Sequence, residues 1–193
     1  MVPFAKSVVC RSIKKIARNS ILALIAAFFV GFASIPQKRA ARNETEVKAV
    51  FLFNFAQFVE WSPEVFPQAD SPIVIGILGK DPFGAYLEET ISGELVNGHP
   101  LTIKRFSSLK QIAPCHILHI NPSRSIRIDN VLKLVRGKGI LTVSDAGNFA
   151  KQGGMVQFVK DDENVKLRIN LSAVKESNIS ISSKLLSLSE IIE

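Results

Sequence analysis

The chain has 193 residues, of which 47% are hydrophobic and 21% are charged. This length and composition fit one domain with a buried core and exclude an intrinsically disordered chain. The formal net charge of +7 does not indicate nucleic-acid binding, because five of the 24 basic residues lie before residue 20, where no acidic residue lies. Without the first 33 residues the chain carries 19 basic and 17 acidic side chains, a near balance that predicts no nucleic-acid partner.

The first 33 residues have the organisation of a secretory signal peptide. A cationic stretch that ends at Arg18 precedes an apolar run over Ile21–Ala33, whose last three residues form a small-x-small cleavage site. This run is shorter than the roughly 20 residues of a membrane-spanning helix, and an uncleaved inner-membrane anchor is the alternative. We therefore expect export to the periplasm, a linker over residues 34–43 and a single domain over residues 44–193.

The predicted domain opens with an amphipathic helix over Glu44–Trp61. Apolar residues recur from Val47 to Val59 at the three- and four-residue spacing of one helix face, and Ser62-Pro63 ends the pattern. Most of its phenylalanines are expected in the core, because Phe buries a large area without a polar atom. A partner groove formed by surface aromatic residues near Trp61 is the alternative.

From residue 73 onward the pattern alternates between strands and helices. Continuous or alternating apolar runs predict strands at Ile73–Leu78, Leu101–Phe106, His116–Ile120 and Gly139–Ser144. Helical spacing predicts helices at Pro82–Ile91, Asp129–Val135 and Ser172–Ser177. A polar turn between Met155–Val159 and Val165–Leu171 indicates a hairpin, and the Ile179–Glu193 tail fits either a strand or a helix. This order predicts an α/β fold with a mostly parallel central sheet, helices on both faces and a C-terminal antiparallel hairpin.

A turn at Gly79–Gly84 follows the first predicted strand directly. Asp81 stands where a helix N-cap is expected, and Pro82 stands at the first helical position. Open α/β sheets bind ligands at the carboxyl ends of their parallel strands, so this turn is a candidate ligand site. The alternative is a capped helix start with nothing bound. Asp81 would repel an anion, and the turn matches neither the Walker A loop nor the G-x-G-x-x-G motif. No nucleotide ligand is therefore predicted.

The histidines and cysteines give no metal or catalytic pattern. On a strand, His116 and His119 point to opposite faces, and Cys115 points away from His116, so the three share no ligand sphere. Cys10 lies in the leader, which leaves Cys115 as the one mature cysteine and allows no internal disulfide. The sequence contains no G-x-S-x-G, H-E-x-x-H or C-x-x-C motif. We therefore expect no cofactor, no metal, no catalytic residues and no enzyme activity, with an enzyme of unrecognised type as the alternative.

Six ordered blocks of this sequence resemble the YfiR family of periplasmic proteins. They are residues 46–61 (EVKAVFLFNFAQFVEW), 76–84 (GILGKDPFG), 115–118 (CHIL), 141–145 (LTVSD), 153–156 (GGMV) and 181–186 (ISSKLL). Together they span essentially the whole predicted domain. Their common order makes the resemblance far more specific than any one block.

The resemblance implies a compact α/β domain without catalytic activity that regulates a partner by binding. The best-understood member represses an inner-membrane diguanylate cyclase, and thereby controls cyclic-di-GMP and biofilm formation, and it forms homodimers. A diguanylate cyclase or a histidine kinase is therefore the expected membrane-bound signalling partner. A periplasmic small-ligand sensor or binding module is the alternative function. Six residues of these blocks are candidate ligand or partner contacts, unless they serve folding alone: Asn54, Trp61, Gly79, Asp81, Phe83 and Ser183.

One position departs from the family pattern. The repressor carries disulfides, one of which joins its first strand to the strand that corresponds to Cys115. In this chain Gly76 stands where the partner cysteine is expected. Redox control through such a bridge is therefore not predicted.

Overall fold

The computed structural model describes residues 36–68, 70–162 and 164–193. The predicted leader and Cys10 lie outside these residues. Within the described part of the chain, none of the helices combines the length and the apolar character that crossing a membrane requires.

An eight-stranded sheet forms the centre of the domain, in the order β10-β8-β7-β6-β5-β2-β4-β3. The strands are β1 (Val59–Glu60), β2 (Ile73–Leu78), β3 (Leu95–Val96), β4 (His99–Phe106), β5 (Ile117–Ile120), β6 (Leu141–Ser144), β7 (Val156–Asp161), β8 (Asn164–Asn170), β9 (Ser180–Ile181) and β10 (Ser189–Ile192). The α-helices are α1 (Pro36–Phe58), α2 (Ala85–Ile91), α3 (Ile128–Val135), α4 (Leu171–Glu176) and α5 (Ser183–Leu186). Strands β4, β2, β5, β6 and β7 run parallel, and β7 turns back into β8 as an antiparallel hairpin.

Helices cover both faces of this sheet, because side chains alternate between the faces along each strand. Ile75 and Ile77 of β2 pack in one core with residues of α1 and α2. Val74 and Leu78 of the same strand pack in a second core with α3. The predicted fold class, a mostly parallel α/β sheet with a C-terminal antiparallel hairpin, is confirmed.

The first helix is longer at its N-terminal end than the sequence pattern predicts. α1 begins at Pro36 instead of Glu44, and it therefore includes most of the stretch assigned to a linker. It ends at Phe58, because Val59 and Glu60 leave the helix to pair with Ile181 and Ser180 of β9. Polar residues can continue a helix without contributing to a core, which hides such an extension from an analysis of apolar spacing.

The second helix begins later than predicted, at Ala85 instead of Pro82. Gly84, with φ of 54°, stands at the N-cap and provides no side-chain cap. The Asp81 carboxylate accepts the backbone N–H groups of Phe83 and Gly84 at 2.7 and 3.3 Å. Asp81 therefore closes a turn that precedes the helix and does not cap the helix itself.

The C-terminal tail, Ile179–Glu193, for which the sequence allowed a strand or a helix, contains both. It forms β9, then the single turn of α5, then β10, which pairs in parallel with β8 at the sheet edge. The side chain of Ser182 accepts the N–H of Leu185 and caps α5.

Candidate functional site

The strand order reverses at β2, because the next strand of the parallel sheet, β4, lies on one side of it and the following strand, β5, lies on the other. In α/β sheets a ligand commonly binds in the crevice at such a reversal, which here lies between the carboxyl ends of β2 and β5. Here the crevice is closed. Gly79 has φ of 95°, and a Cβ built on it would overlap the carbonyl oxygen of Asn121. The side-chain amide of Asn121 donates to the carbonyl of Lys80 at 2.8 Å. The absence of a side chain at Gly79 thus allows the loop after β2 to contact the loop after β5 closely.

The Asp81 carboxylate is fully engaged by its neighbours. One oxygen holds the turn, and the other accepts Nε–H of Arg105 at 2.7 Å. Arg105 also pairs with Glu88 of α2. Hydrogen bonds to Asp81 and Glu88 raise the pKa of Arg105. These three charges link the turn, β4 and α2.

Phe83 is buried beneath the same turn and meets the ring of His119 edge-on at 4.9 Å between centroids. His119 lies between Phe83 and Phe158, and neither ring nitrogen has a hydrogen-bond partner among the described residues. Burial lowers the pKa of His119 to about 4, with the Lys48 charge acting in the same direction and Asp145 and Asp81 against it. This end of the sheet therefore holds a neutral, sealed imidazole.

Lys48 of α1 holds the helix above this sealed histidine. Its ammonium lies 3.0 Å from Asp145, which follows β6, and 2.7 Å from Glu44 one helical turn earlier. The two carboxylates raise the pKa of Lys48 although burial opposes them, and Lys48 in turn lowers the pKa of Asp145. This contact gives Asp145, the last residue of the LTVSD block, a structural role.

Asn54 lies in a groove of about 260 Å³ between α1 and α2. The groove is lined by Glu46, Val47, Val50, Phe51, Asn54 and Tyr86. Val50 is 40% exposed, whereas Ala49 and Leu52 beside it on α1 are fully buried. The carboxyamide of Asn54 therefore stands beside an apolar surface that a partner could cover.

Trp61 lies at the opposite end of the sheet, near the amino end of β2. It lines a groove of about 540 Å³ together with Glu60, Phe66, Asn97, His99 and others. Phe66 stacks between the rings of His99 and His116, at 4.2 and 4.6 Å between centroids, and Trp61 meets His116 edge-on at 5.7 Å. This row of rings separates the groove from a second cavity of about 740 Å³ on the α3 side.

Ser183 is the first residue of α5 and is exposed. The N–H of Ser182 donates to the carbonyl of Phe58 at 2.9 Å, so that Ser183 lies beside the end of α1. The structure thus brings together Gly79, Asp81 and Phe83 and separates them from Asn54, Trp61 and Ser183. Neither of the two larger cavities is lined by the Gly79–Phe83 turn, and a ligand above that turn stays a prediction.

Cys115 and His116 both border the 740 Å³ cavity, although alternation predicted that they face apart. Both residues precede β5, which begins at Ile117, and a period of two does not apply there. Burial raises the pKa of the Cys115 thiol to about 12. Among the residues that the structure describes, no group of three His, Cys, Asp or Glu side chains is placed to hold a metal ion.

Gly76 lies beside Cys115, as the family pattern implies. A Cβ built on Gly76 would lie 3.2 Å from Sγ of Cys115, and also 2.9 Å from the Phe106 ring and 3.0 Å from Leu118. The two positions are therefore close enough for a bridge in a relative with cysteine at both. In this chain the Phe106 and Leu118 side chains fill the space that the missing side chain leaves.

The fold and these surfaces define an α/β domain with closed carboxyl strand ends and with grooves on α1 and at the amino strand ends. A sequence model of the YfiR/HmsC-like family matches residues 45–190. The chain therefore belongs to the YfiR/HmsC-like family, whose members are periplasmic regulators.

No curated protein sequence matches the chain. Among solved structures, it is similar to "the ABC domain in complex with L-Trp" from Streptococcus pneumonia, with 15% identity and a TM-score of 0.48. The match covers 79% of this chain and 60% of that one.

Proposed function

We propose that this protein is a non-enzymatic regulator that is exported to the periplasm by its leader and represses a membrane-bound signalling enzyme, in the first place a diguanylate cyclase. The observation that carries the proposal is the family match over residues 45–190. A histidine kinase is the second partner class. The homodimer that the family resemblance implies stays a prediction, which sedimentation of the purified protein would test.

We place the partner contact on the groove between α1 and α2. It combines the exposed Val50 with Phe51, Tyr86 and the amide of Asn54. Interfaces concentrate their binding energy in aromatic and aliphatic anchors surrounded by polar groups, and this groove offers both. The periplasmic region of the membrane enzyme is the occupant that the proposal requires.

Repression by binding sets an energetic requirement. Changing a partner from 99% active to 99% inactive requires that the regulator prefer the inactive state by about 5.5 kcal/mol. A contact change that removes half of this preference, about 2.7 kcal/mol, would leave the partner about half active. One well-chosen anchor substitution is therefore enough for a measurable loss of repression.

The test is recovery of the partner from envelope extracts with the tagged protein, followed by identification by mass spectrometry. The variant Val50→Glu introduces a charge into the apolar groove at an exposed helix position, so that folding is retained while partner recovery falls at least tenfold, the equivalent of about 1.4 kcal/mol. Leu95→Glu is the matched control, because Leu95 is 64% exposed on β3 and lines no part of the groove.

Recovery of a membrane signalling enzyme by the wild type and by Leu95→Glu, and not by Val50→Glu, supports both the function and the surface. Equal recovery by all three proteins contradicts the surface. Recovery of no membrane signalling enzyme by the wild type contradicts the proposed function.

A further inference from the structure

The cavity of about 740 Å³ opens on the α3 side of the sheet, at the amino ends of β2, β5 and β6. Its floor consists of core residues that keep some exposure. Val74 and Cys115 are each 7% exposed, whereas Ile75 and Ile117 beside them are 0% exposed. Pro67, Ser71 and Pro72 contribute one wall, and the segment Leu109–Pro114 contributes another. The volume lies within the range of small-molecule sites, about 300 to 1,000 Å³.

The cavity has an aliphatic interior. Its apolar lining residues are Val65, Val74, Leu109, Ile112, Ala113, Leu134, Val135 and Ile140. Leu134 is 40% exposed at the rim. Such a lining favours a ligand with an apolar body, because removal of apolar surface from water supplies the affinity.

All charged residues that line the cavity are basic. Lys104, Lys110 and Lys138 line the cavity, and none of its lining residues is Asp or Glu. No ion pair within the described residues involves these three lysines. Burial raises the pKa of Cys115 on the cavity floor, and the charge of Lys104 opposes this rise. The three lysines come from β4, the 3₁₀ turn at Leu109–Gln111 and the loop after α3.

His116 adds a fixed hydrogen-bond donor. Its ring Nδ1 accepts the backbone N–H of Val74 at 3.0 Å, and the backbone N–H of His116 donates to the Val74 carbonyl at 2.9 Å. Burial and the His99 charge lower the pKa of His116 to about 4, so the ring is neutral and its remaining proton is on Nε2. Nε2 donates to no acceptor among the described residues, and it does not belong to the fully buried polar atoms that lack a partner.

We infer that this cavity binds a small amphiphilic anion, a carboxylate with an alkyl body of medium length. The alkyl chain would lie on the aliphatic floor, and the carboxylate would lie at the rim among the three lysines. The site is separate from the groove between α1 and α2, and the inference does not rest on the proposed function.

The test is titration of the purified protein with decanoate by calorimetry and by fluorescence. Trp61 is the one tryptophan in the sequence and contacts His116, so its emission reports on this end of the sheet. Decanol and decyltrimethylammonium serve as probes with the same chain and a neutral or positive head. Decanoate should bind at one molecule per chain, at least tenfold tighter than either, and more weakly as salt screens the lysines.

The rim is tested with the triple variant Lys104→Ala, Lys110→Ala, Lys138→Ala. All three side chains are exposed, so the fold is retained, and decanoate affinity should fall about tenfold. The matched control replaces three exposed lysines outside the cavity, Lys133, Lys151 and Lys175, by Ala, and it should bind decanoate as the wild type does. Ala113→Trp, which fills the cavity, should abolish binding.

An NMR readout locates the ligand without a variant. Addition of decanoate should shift the backbone amide signals of the lining residues Val74, Cys115 and Ile140 more than those of residues outside the cavity. The inference is overturned if decanoate fails to bind, if the three head groups bind equally, if both triple variants weaken binding alike, or if the signals of these lining residues do not shift.

Discussion

His116 and His119 lie three residues apart on the chain, yet they belong to two ends of the sheet that pack differently. At the carboxyl end, His119 is sealed between Phe83 and Phe158 with neither ring nitrogen bonded. At the amino end, His116 is bonded to Val74 and borders an open cavity. One end is closed by contacts within the protein, and the other is left accessible.

The difference leaves the two larger cavities at the end of the sheet opposite to the one where an α/β sheet usually binds ligands. The crevice at the carboxyl ends is occupied by Asn121 against Gly79 and by the Asp81–Arg105 pair. Asp81 and Phe83 there have structural tasks that are visible in their contacts. Under the proposed function the protein acts through its outer surface, and that function requires no reactive crevice.

The largest loss of stability is expected at Gly79, where the contact at the carboxyl end of the sheet is closest. Gly79→Ala would place a methyl group against the Asn121 carbonyl and a side chain at φ of 95°, so unfolding free energy should fall by about 4 kcal/mol. Gly153→Ala is the control, because Gly153 has almost the same φ, 94°, and open space around its Cβ position, and it should lose about 1 kcal/mol. Urea unfolding measures both values. Equal losses would show that the carboxyl end is not tightly closed.

A smaller effect is expected from acid, because both histidines are neutral in the folded protein. The folded pKa of His119 is about 4, below the ordinary value of 6.5, so its contribution is complete above pH 6.5 and is lost as the pH falls toward 4. Protonation of His119 should cost about 3 kcal/mol across this window. His119→Leu should leave the protein as stable at pH 7 or more stable, and should make its unfolding free energy less dependent on pH.

His116→Ala is the control that separates the two ends. It also removes a histidine with a pKa of about 4, but it leaves the N–H of Val74 without its acceptor. Stability at pH 7 should therefore fall by about 2 kcal/mol. If His119→Leu destabilises the protein at pH 7 as much as His116→Ala does, then His119 has a role that the sealed packing does not explain.

The sheet was predictable from the sequence because strand and helix periods are local. The β2 run, the hairpin of β7 and β8, and α3 follow from apolar spacing and turn residues. The first residue of α2 was not predictable in the same way. Asp81-Pro82 has the composition of a helix start, and only the positions of Phe83 and Gly84 show that it closes a separate turn.

The candidate site was less accessible to sequence analysis than the fold. Asn54 and Trp61 do line grooves, whereas Gly79, Asp81 and Phe83 close a crevice. The cavity with the three lysines gives no local signal, because its lining residues lie in four separated parts of the chain between Val65 and Ile140. The sequence around His116 does not reveal its ring contacts, because Phe66 and Trp61 come from a loop more than 40 residues earlier.

The most direct test of the central claim is the level of cyclic-di-GMP in cells that lack this protein. Removal of a repressor that holds a diguanylate cyclase inactive should raise the level, and plasmid-borne wild type or Leu95→Glu should lower it again. Val50→Glu, exported in equal amount, should fail to lower it. An unchanged level in the deletion strain would contradict repression of a diguanylate cyclase.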